Sequence, residues 1–194
     1  MKLNAKELRE SDEKEVRDIL KKIKRNPIFF ILENIYDTYN IGGLFRLADA
    51  LAIEKMYLCG DMEIPPNSRI QKASIGTYKV VQWEYKQTAK EAIEELRYVT
   101  NNTQHITSNN EKMLHVTSCM LRVIAVEQHE TAINYRKADY STPIALIFGN
   151  ETYGVLPDTL KLADQIVEIP MWGVNKSLNV IVSAAIVSYW LMSS

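Results

Sequence analysis

Apolar residues follow two rhythms along this chain. Short uninterrupted runs, Ile28-Phe29-Phe30-Ile31-Leu32 above all, have strand length and no polar face, the pattern of a parallel strand buried on both sides. Between such runs lie stretches with the three-to-four-residue spacing of amphipathic helices. The first covers residues 5–25, where Leu8, Val16, Ile19, Leu20 and Ile23 make a weak apolar stripe and Pro27 ends the helix. A polar turn through Asp37 then leads to a helix over Ile41–Leu51. Further strands are expected at Lys55–Cys59, Tyr78–Tyr85, Leu121–Val126, Ile144–Phe148 and Gln165–Ile169. Further helices are expected at Thr88–Val99, 157–163 and Leu178–Met192, and a loop with Pro65-Pro66 over Gly60–Ser68. Strand alternating with helix predicts an α/β fold with a mostly parallel sheet flanked by helices. One segment breaks the alternation. Residues 101–118 (NNTQHITSNNEKMLHVTS) are rich in Asn, Thr and Ser, which predicts an inserted loop or loose hairpin.

Composition narrows the class. The 194 residues suit one domain at 27–194 preceded by a charged helix at 1–26. With 46% apolar and 24% charged residues, neither a disordered chain nor a disulfide scaffold is expected. Cys59 and Cys119 lie far apart without a CxxC spacing, as in a reduced intracellular compartment. The opening MKLNAKELRESDEKEV has no apolar core of a secretory signal. The longest apolar stretch, Val180–Met192, is broken by Ser183 and Ser188 and is too short to span a bilayer. A cytoplasmic protein without membrane contact is the expectation. His105 and His115 fall near Cys119, but a metal centre needs a fourth ligand and tighter spacing, so no metal is expected.

The net charge of −1 hides an asymmetry: residues 1–26 hold nine Lys/Arg and six Asp/Glu, net +3, which leaves −4 for the remainder. Lys21, Lys22, Lys24 and Arg25 close the first helix. They either complement its dipole or form a small phosphate-facing patch.

Candidate chemistry concentrates where α/β sheets bind ligands, beyond the C-terminal ends of strands. Three such ends carry glycine and polar residues: Asn34 to Arg46, Phe148-Gly149-Asn150-Glu151-Thr152-Tyr153-Gly154, and Ile169-Pro170-Met171-Trp172-Gly173 on to Ser177-Leu178-Asn179. Common nucleotide fingerprints are missing. No GxGxxG occurs, no GxSxG elbow occurs, and Gly149 and Gly154 have P-loop spacing but are followed by Val155 instead of Lys.

Together the three segments resemble the SpoU/TrmH family of RNA ribose 2′-O-methyltransferases, of the SPOUT superfamily. Asn40 stands six residues before Arg46 at the start of a helix, GNETYG is similar to the family's Gly-x-Glu-Gly-x-Gly loop, and IPMWGVNKSLNV follows its Ile-Pro-Met-x-Gly-x-x-x-Ser-Leu-Asn-Val motif. QKASIGT at 71–77 and AVEQ at 125–128 agree in character, so the resemblance spans roughly 28–192. It implies a C-terminal deep trefoil knot, a homodimer, and S-adenosyl-L-methionine held bent in the knot loops mainly by backbone groups. The implied cofactor positions are Glu127, Gln128, Gly149, Asn150, Ile169, Met171, Gly173 and Leu178. For Gly149 and Gly173, a plain turn requirement explains the glycine as well as close backbone approach does.

The resemblance further implies that Arg46 is the catalytic residue, with Asn40, Glu151, Ser177 and Asn179 around it. A guanidinium stays protonated, so Arg46 is expected to orient an RNA phosphate and the ribose hydroxyl. Each asparagine could instead be a helix cap, and Ser177 is the better cap candidate for the last helix. Glu151 either orients Arg46, bonds near the cofactor, or is structural. The last helix is apolar nearly all round, which requires burial on more than one side, inside the chain or against a second subunit. Three departures from the family stand out: Thr152-Tyr153 follow the glutamate where glycine is usual, 101–118 has no counterpart, and only the 1–26 helix stands where larger relatives carry a separate RNA-binding domain. The expected substrate is structured RNA, transfer RNA slightly ahead of ribosomal RNA. In that setting Lys21, Lys22, Lys24 and Arg25 are candidate RNA contacts. A catalytically silent RNA- or protein-binding module is the competing expectation, against which the intact Asn40, Arg46, Glu151, Ser177 and Asn179 argue.

Overall fold

The computed structural model describes residues 4–10, 16, 18, 20, 22–106 and 120–193. Its strands are β1 (Asn26–Glu33), β2 (Ile53–Cys59), β3 (Trp83–Lys86), β4 (Arg122–Val126), β5 (Ile133–Asn134), β6 (Ile144–Phe148) and β7 (Gln165–Glu168). They form one seven-stranded sheet in the order β3-β2-β1-β6-β4-β7-β5, every pair parallel. The helices are α1 (Ala5–Glu10), α2 (Thr38–Ala50), α3 (Ser68–Ser74), α4 (Ala89–Ile106), α5 (Pro157–Leu160) and α6 (Val180–Leu191).

The apolar run of β1 sits mid-sheet because both of its faces are covered. Phe30 lies opposite Met56 of β2 and Leu146 of β6, which in turn faces Ile124 of β4. That row packs under α2 and α6 with Leu44, Phe45, Ala184 and Val187, and the Phe30 and Phe148 rings meet edge-on at 5.2 Å. On the other face Tyr57, Ile31, Ile147 and Ala125 form the matching row, covered by Ala89, Ala92, Ile93 and Leu96 of α4. Each fully buried Leu, Ile or Phe in these layers contributes about 1.5–3 kcal/mol.

Two predicted elements differ from those observed. The strand expected at Tyr78–Tyr85 is a 3-10 turn at Thr77–Lys79 followed by β3, and α3 precedes it where a helix was not expected. The loop predicted over 101–118 is helical through Ile106, as the last turns of α4. The rest of that segment, with His115 and Cys119, lies outside the described residues.

At the N-terminus, Leu8 and Val16 bury against Val80, with Leu20 beside them. Arg25 has a structural job there: its Nη1 donates to Ile53 O at 2.9 Å and its Nη2 to Val80 O at 2.6 Å. Those bonds to carbonyls of its own chain occupy two of the five N–H donors of the guanidinium. Lys22 and Lys24 are exposed, and Lys21 lies outside the described residues. Among the described residues no helix is long and apolar enough to cross a membrane, and no His/Cys/Asp/Glu group could hold a metal.

Candidate active site

The C-terminal ends of β1, β4, β6 and β7 open on one edge of the sheet, and the polar loops leaving them lock together there. Glu33 ends β1 as a buried carboxylate, accepting from Leu156 N at 2.8 Å and from the Thr159 hydroxyl at 2.5 Å. Asn34 follows with a φ of +55°, a left-handed turn that Asn tolerates. Its carbonyl accepts from Asn150 Nδ2 at 2.8 Å and its side-chain oxygen from Asp61 N at 2.9 Å. Asp37 then caps α2, accepting from Tyr39 N.

Asn40, on the first turn of α2, is 6% exposed and central to the site. Its Nδ2 donates to Glu151 Oε1 at 2.8 Å, and its Oδ1 accepts from Asn179 Nδ2 at 3.0 Å. Three residues from three distant segments thus form one relay. Asn179 is itself the N-cap of α6, accepting from Ile181 N at 2.9 Å, so the expectation that Ser177 caps that helix is corrected. Arg46 lies on α2, exposed, and its side chain makes no hydrogen bond or ion pair with any described residue. Glu151 is therefore held by Asn40 and not by Arg46.

The loop after β6 is built from within. Asn150 is buried, and its Oδ1 accepts from Thr152 N and Tyr153 N at 2.7 and 2.9 Å. Glu127, at the end of β4, accepts from Val155 N at 2.8 Å and Gln128 N at 2.9 Å. A Cβ on Gly149 would come within 2.2 Å of Gly154 C and Val155 N, so this glycine is required by the loop's own closure. A Cβ on Gly173 would meet nothing within 4 Å, so close approach inside the chain does not explain that glycine.

Between these loops lies a cavity of about 340 Å³. Glu127 and Gln128 line it from β4, Gly149 and Asn150 from β6, and Ile169, Met171 and Leu178 from the chain after β7. Glu151 and Ser177 also face it, whereas Gly173, Arg46, Asn40 and Asn179 are not among its lining residues. The sequence reading did not single out Gly154 or Lys176 as lining residues, nor Glu33 and Asn34 as clamps behind the cavity. The signal for the clamps was a Glu-Asn pair at the end of an otherwise apolar strand. Gln128 Nε2 donates to Lys176 O, tying the last loop to the end of β4. The charged lining residues are Glu127, Glu151, Glu168 and Lys176, a net negative set that suits a ligand carrying a positive centre.

The sequence model of the SpoU rRNA Methylase family matches residues 27–189. The chain belongs to that family. A SpoU-family relative, the tRNA (guanosine(18)-2′-O)-methyltransferase of Aquifex aeolicus, is 27% identical over 91% of this chain and 73% of its own length. The Thermus thermophilus protein of the same name is 27% identical over 95% and 83%. A 23S rRNA (guanosine-2′-O-)-methyltransferase, RlmB of Ralstonia nicotianae, is 27% identical over 87% of this chain but only 59% of its own. Among solved structures, the SpoU methyltransferase AviRb from Streptomyces viridochromogenes in complex with AdoMet superposes with a TM-score of 0.72 at 19% identity. That match covers 91% of this chain and 63% of AviRb, so the chain spans less than two thirds of that neighbour. The A. aeolicus TrmH/SpoU tRNA modifying enzyme gives 0.69 at 23% identity, over 93% and 81%. These structures share the SpoU-family fold with this chain: a parallel α/β sheet flanked by helices.

Proposed function

We propose that the protein transfers a methyl group from S-adenosyl-L-methionine to a ribose 2′-hydroxyl of RNA, with transfer RNA as the first substrate to test. The observation that carries this reading is the Asn179–Asn40–Glu151 relay, whose Glu151 lines the cavity, with an exposed Arg46 on the helix of Asn40 that has no side-chain partner among the described residues. Support comes from the relatives, whose names place the same chemistry on tRNA and on 23S rRNA.

The cavity fits the cofactor. It is of small-molecule size, its charged rim favours a cation, and backbone at Gly149, Ile169 and Leu178 can read an adenine edge. When bound there, S-adenosyl-L-methionine supplies an electrophilic methyl on a positively charged sulfur. Glu127, Gln128, Asn150 and Met171 complete the pocket that holds it, and Gln128 fixes the last loop as one wall. Gly173 stays in the proposal only as the turn that lets the 169–179 segment pass.

Arg46 presents a fork of N–H donors toward solvent beyond that wall. It orients a substrate phosphate together with the ribose hydroxyl, which places the oxygen for an in-line attack. Asn40 and Glu151 hold the first turn of α2 against the β6 loop, and Asn179 with Ser177 sets the start of α6, so the guanidinium and the cavity keep a fixed relation.

The protein also acts as a homodimer in this proposal. Val182 and Tyr189 on α6, with Leu178 and Met192 just beyond its two ends, are exposed apolar side chains, 37–56% accessible, of the kind a second copy covers. Ile169, Met171 and Leu178 line the cavity beside the ends of β4 and β6, and α6 then packs on α2; we take this segment as the trefoil knot of the family. Lys22 and Lys24 are placed as outlying phosphate contacts, and the cytoplasm, where transfer RNA is abundant, as the site of action. The experiment is mass spectrometry of ribose-methylated nucleosides in RNA from cells with and without the gene. Loss of one 2′-O-methyl nucleoside is expected, and an unchanged profile overturns the reading.

A further inference from the structure

Two exposed tyrosines neighbour the relay in sequence. Tyr39 is 58% exposed and Tyr153 is 78% exposed, one residue from Asn40 and two from Glu151 respectively. The 2.8 Å bond between Asn40 and Glu151 therefore holds the two tyrosine-bearing segments against each other. Neither backbone is loose: Asp37 accepts from Tyr39 N at 2.8 Å, and Asn150 accepts from Tyr153 N at 2.9 Å. Arg46 follows Tyr39 by seven residues, two helical turns, which puts both on the same face of α2 about 10 Å apart along its axis.

A cation and rigid aromatic faces in this spacing match the two surfaces of an unpaired nucleotide, phosphate and base. Bases inside a duplex are covered on both faces by their neighbours and cannot lie on a protein ring. Resting on the RNA reading proposed above, we infer that Tyr39 and Tyr153 are stacking platforms for bases next to the methylated ribose, so that the substrate segment is an RNA loop and not a helix. The tyrosine at 153 then has a purpose: it adds a ring beside the cofactor cavity, whose lining it joins.

The probes are an RNA hairpin whose loop carries 2-aminopurine and a fully paired duplex of the same sequence. Tyr39→Ala and Tyr153→Ala are each expected to weaken hairpin binding about tenfold, while Tyr39→Phe and Tyr153→Phe stay within about twofold, because stacking needs the ring and not the hydroxyl. Duplex binding is expected to be weak and unaltered in all four. Tyr39→Ala should keep wild-type affinity for S-adenosylhomocysteine by calorimetry, which shows that the protein is folded. Unchanged hairpin affinity in the alanine variants overturns the inference, as does a phenylalanine variant as weak as its alanine counterpart. A shift of the alanine variants toward monomer in sedimentation also overturns it, because a second copy then covers the rings. If the wild-type protein binds neither S-adenosylhomocysteine nor RNA, the methyltransferase reading itself falls. If it binds both and only the tyrosine effect is missing, that reading stands.

Discussion

Two polar clusters lie on opposite faces of the sheet and differ in what they leave over. On the α4 side, Lys55, Tyr57, Glu84, Lys86 and Glu95 pair among themselves. Lys55 Nζ reaches Glu84 at 2.5 Å and Glu95 at 3.4 Å, Lys86 Nζ reaches Glu84 at 2.6 Å and also contacts Glu95, and the Tyr57 hydroxyl donates to Glu95 at 2.9 Å. Hydrogen bonds from Lys55 and Lys86 hold the Glu84 carboxyl below its ordinary range, and the bond to Glu84 raises Lys86. Burial pushes Glu95 up, but bonds from Lys86 and Tyr57 outweigh it. Every charge there is used, and the result is a tied-down edge strand. On the α2 side the relay contains one charge and two neutral amides, and Arg46, on the same helix as Asn40, has no side-chain partner among the described residues. Density of charge marks scaffolding here. The relay, by contrast, leaves Arg46 of its own helix without a side-chain partner among the described residues.

The contrast breaks most severely at Arg46. Arg46→Ala is expected to cut methyl transfer about a thousandfold, and Arg46→Lys nearly as far, because a point-charge ammonium lacks the fork. S-adenosylhomocysteine affinity should stay within about threefold, under ~0.7 kcal/mol. Near wild-type turnover of Arg46→Ala on its RNA would remove Arg46 from catalysis.

Next in size is Gly149→Val, where the added carbons meet backbone at 2.2 Å and not a movable side chain. Overpacking of about 1–3 kcal/mol should lower Tm by about 3–10 °C, with weaker cofactor binding as the loop shifts. A normal Tm with normal binding would mean that the loop closes differently.

Asn40→Asp sharpens the comparison by setting a carboxylate against Glu151, turning the neutral relay into a charged one. Two carboxylates at that distance cannot both ionise, so the new group's pKa rises. Transfer relative to wild type should fall about tenfold at pH 8 and recover toward pH 5.5, where the shared proton restores a donor. A ratio flat with pH would exclude repulsion as the cause.

The smallest effect belongs to the opposite cluster. Glu95→Gln should cost under about 1 kcal/mol and leave transfer unchanged. The lowered carboxyls there give stability that is complete above their ordinary value near 4.5 and is lost as pH falls through the lower folded value. The raised Lys86 works in the other direction: its share is complete below its ordinary 10.5 and lost only at higher pH. Urea midpoints should therefore be level between pH 6 and 9 and drop below about pH 4.5, less steeply in Glu95→Gln than in wild type.

Strands buried on both faces were legible because Ile28–Leu32 and Ile144–Phe148 admit no polar residue. Helix α3 was not, because SRIQKAS has a single fully apolar large residue, Ile70, and its packing comes from Gly42 of α2, where a Cβ would lie 2.4 Å from Ala73. At 101–106, Asn and Thr have weak helix propensity, yet the helix set going by Ala92, Ile93 and Leu96 carries through them. The residues of the relay were legible from motif order, but its bonding was not. That Asn40 holds Glu151, or that Asn179 both caps α6 and reaches Asn40, depends on where chain segments over a hundred residues apart come to rest.

That separation has a consequence for synthesis. Asn40 is made early, yet its partners lie 111 and 139 residues downstream, and Glu33 waits 126 residues for Thr159. Contacts of such span are slow to close and come late in folding. A nascent chain halfway off the ribosome already has the two helix turns that carry Tyr39 and Arg46, but no wall behind them. The working edge exists only when α6 has docked, so a chain that stops short, or misplaces its last helix, is born inert instead of partly active.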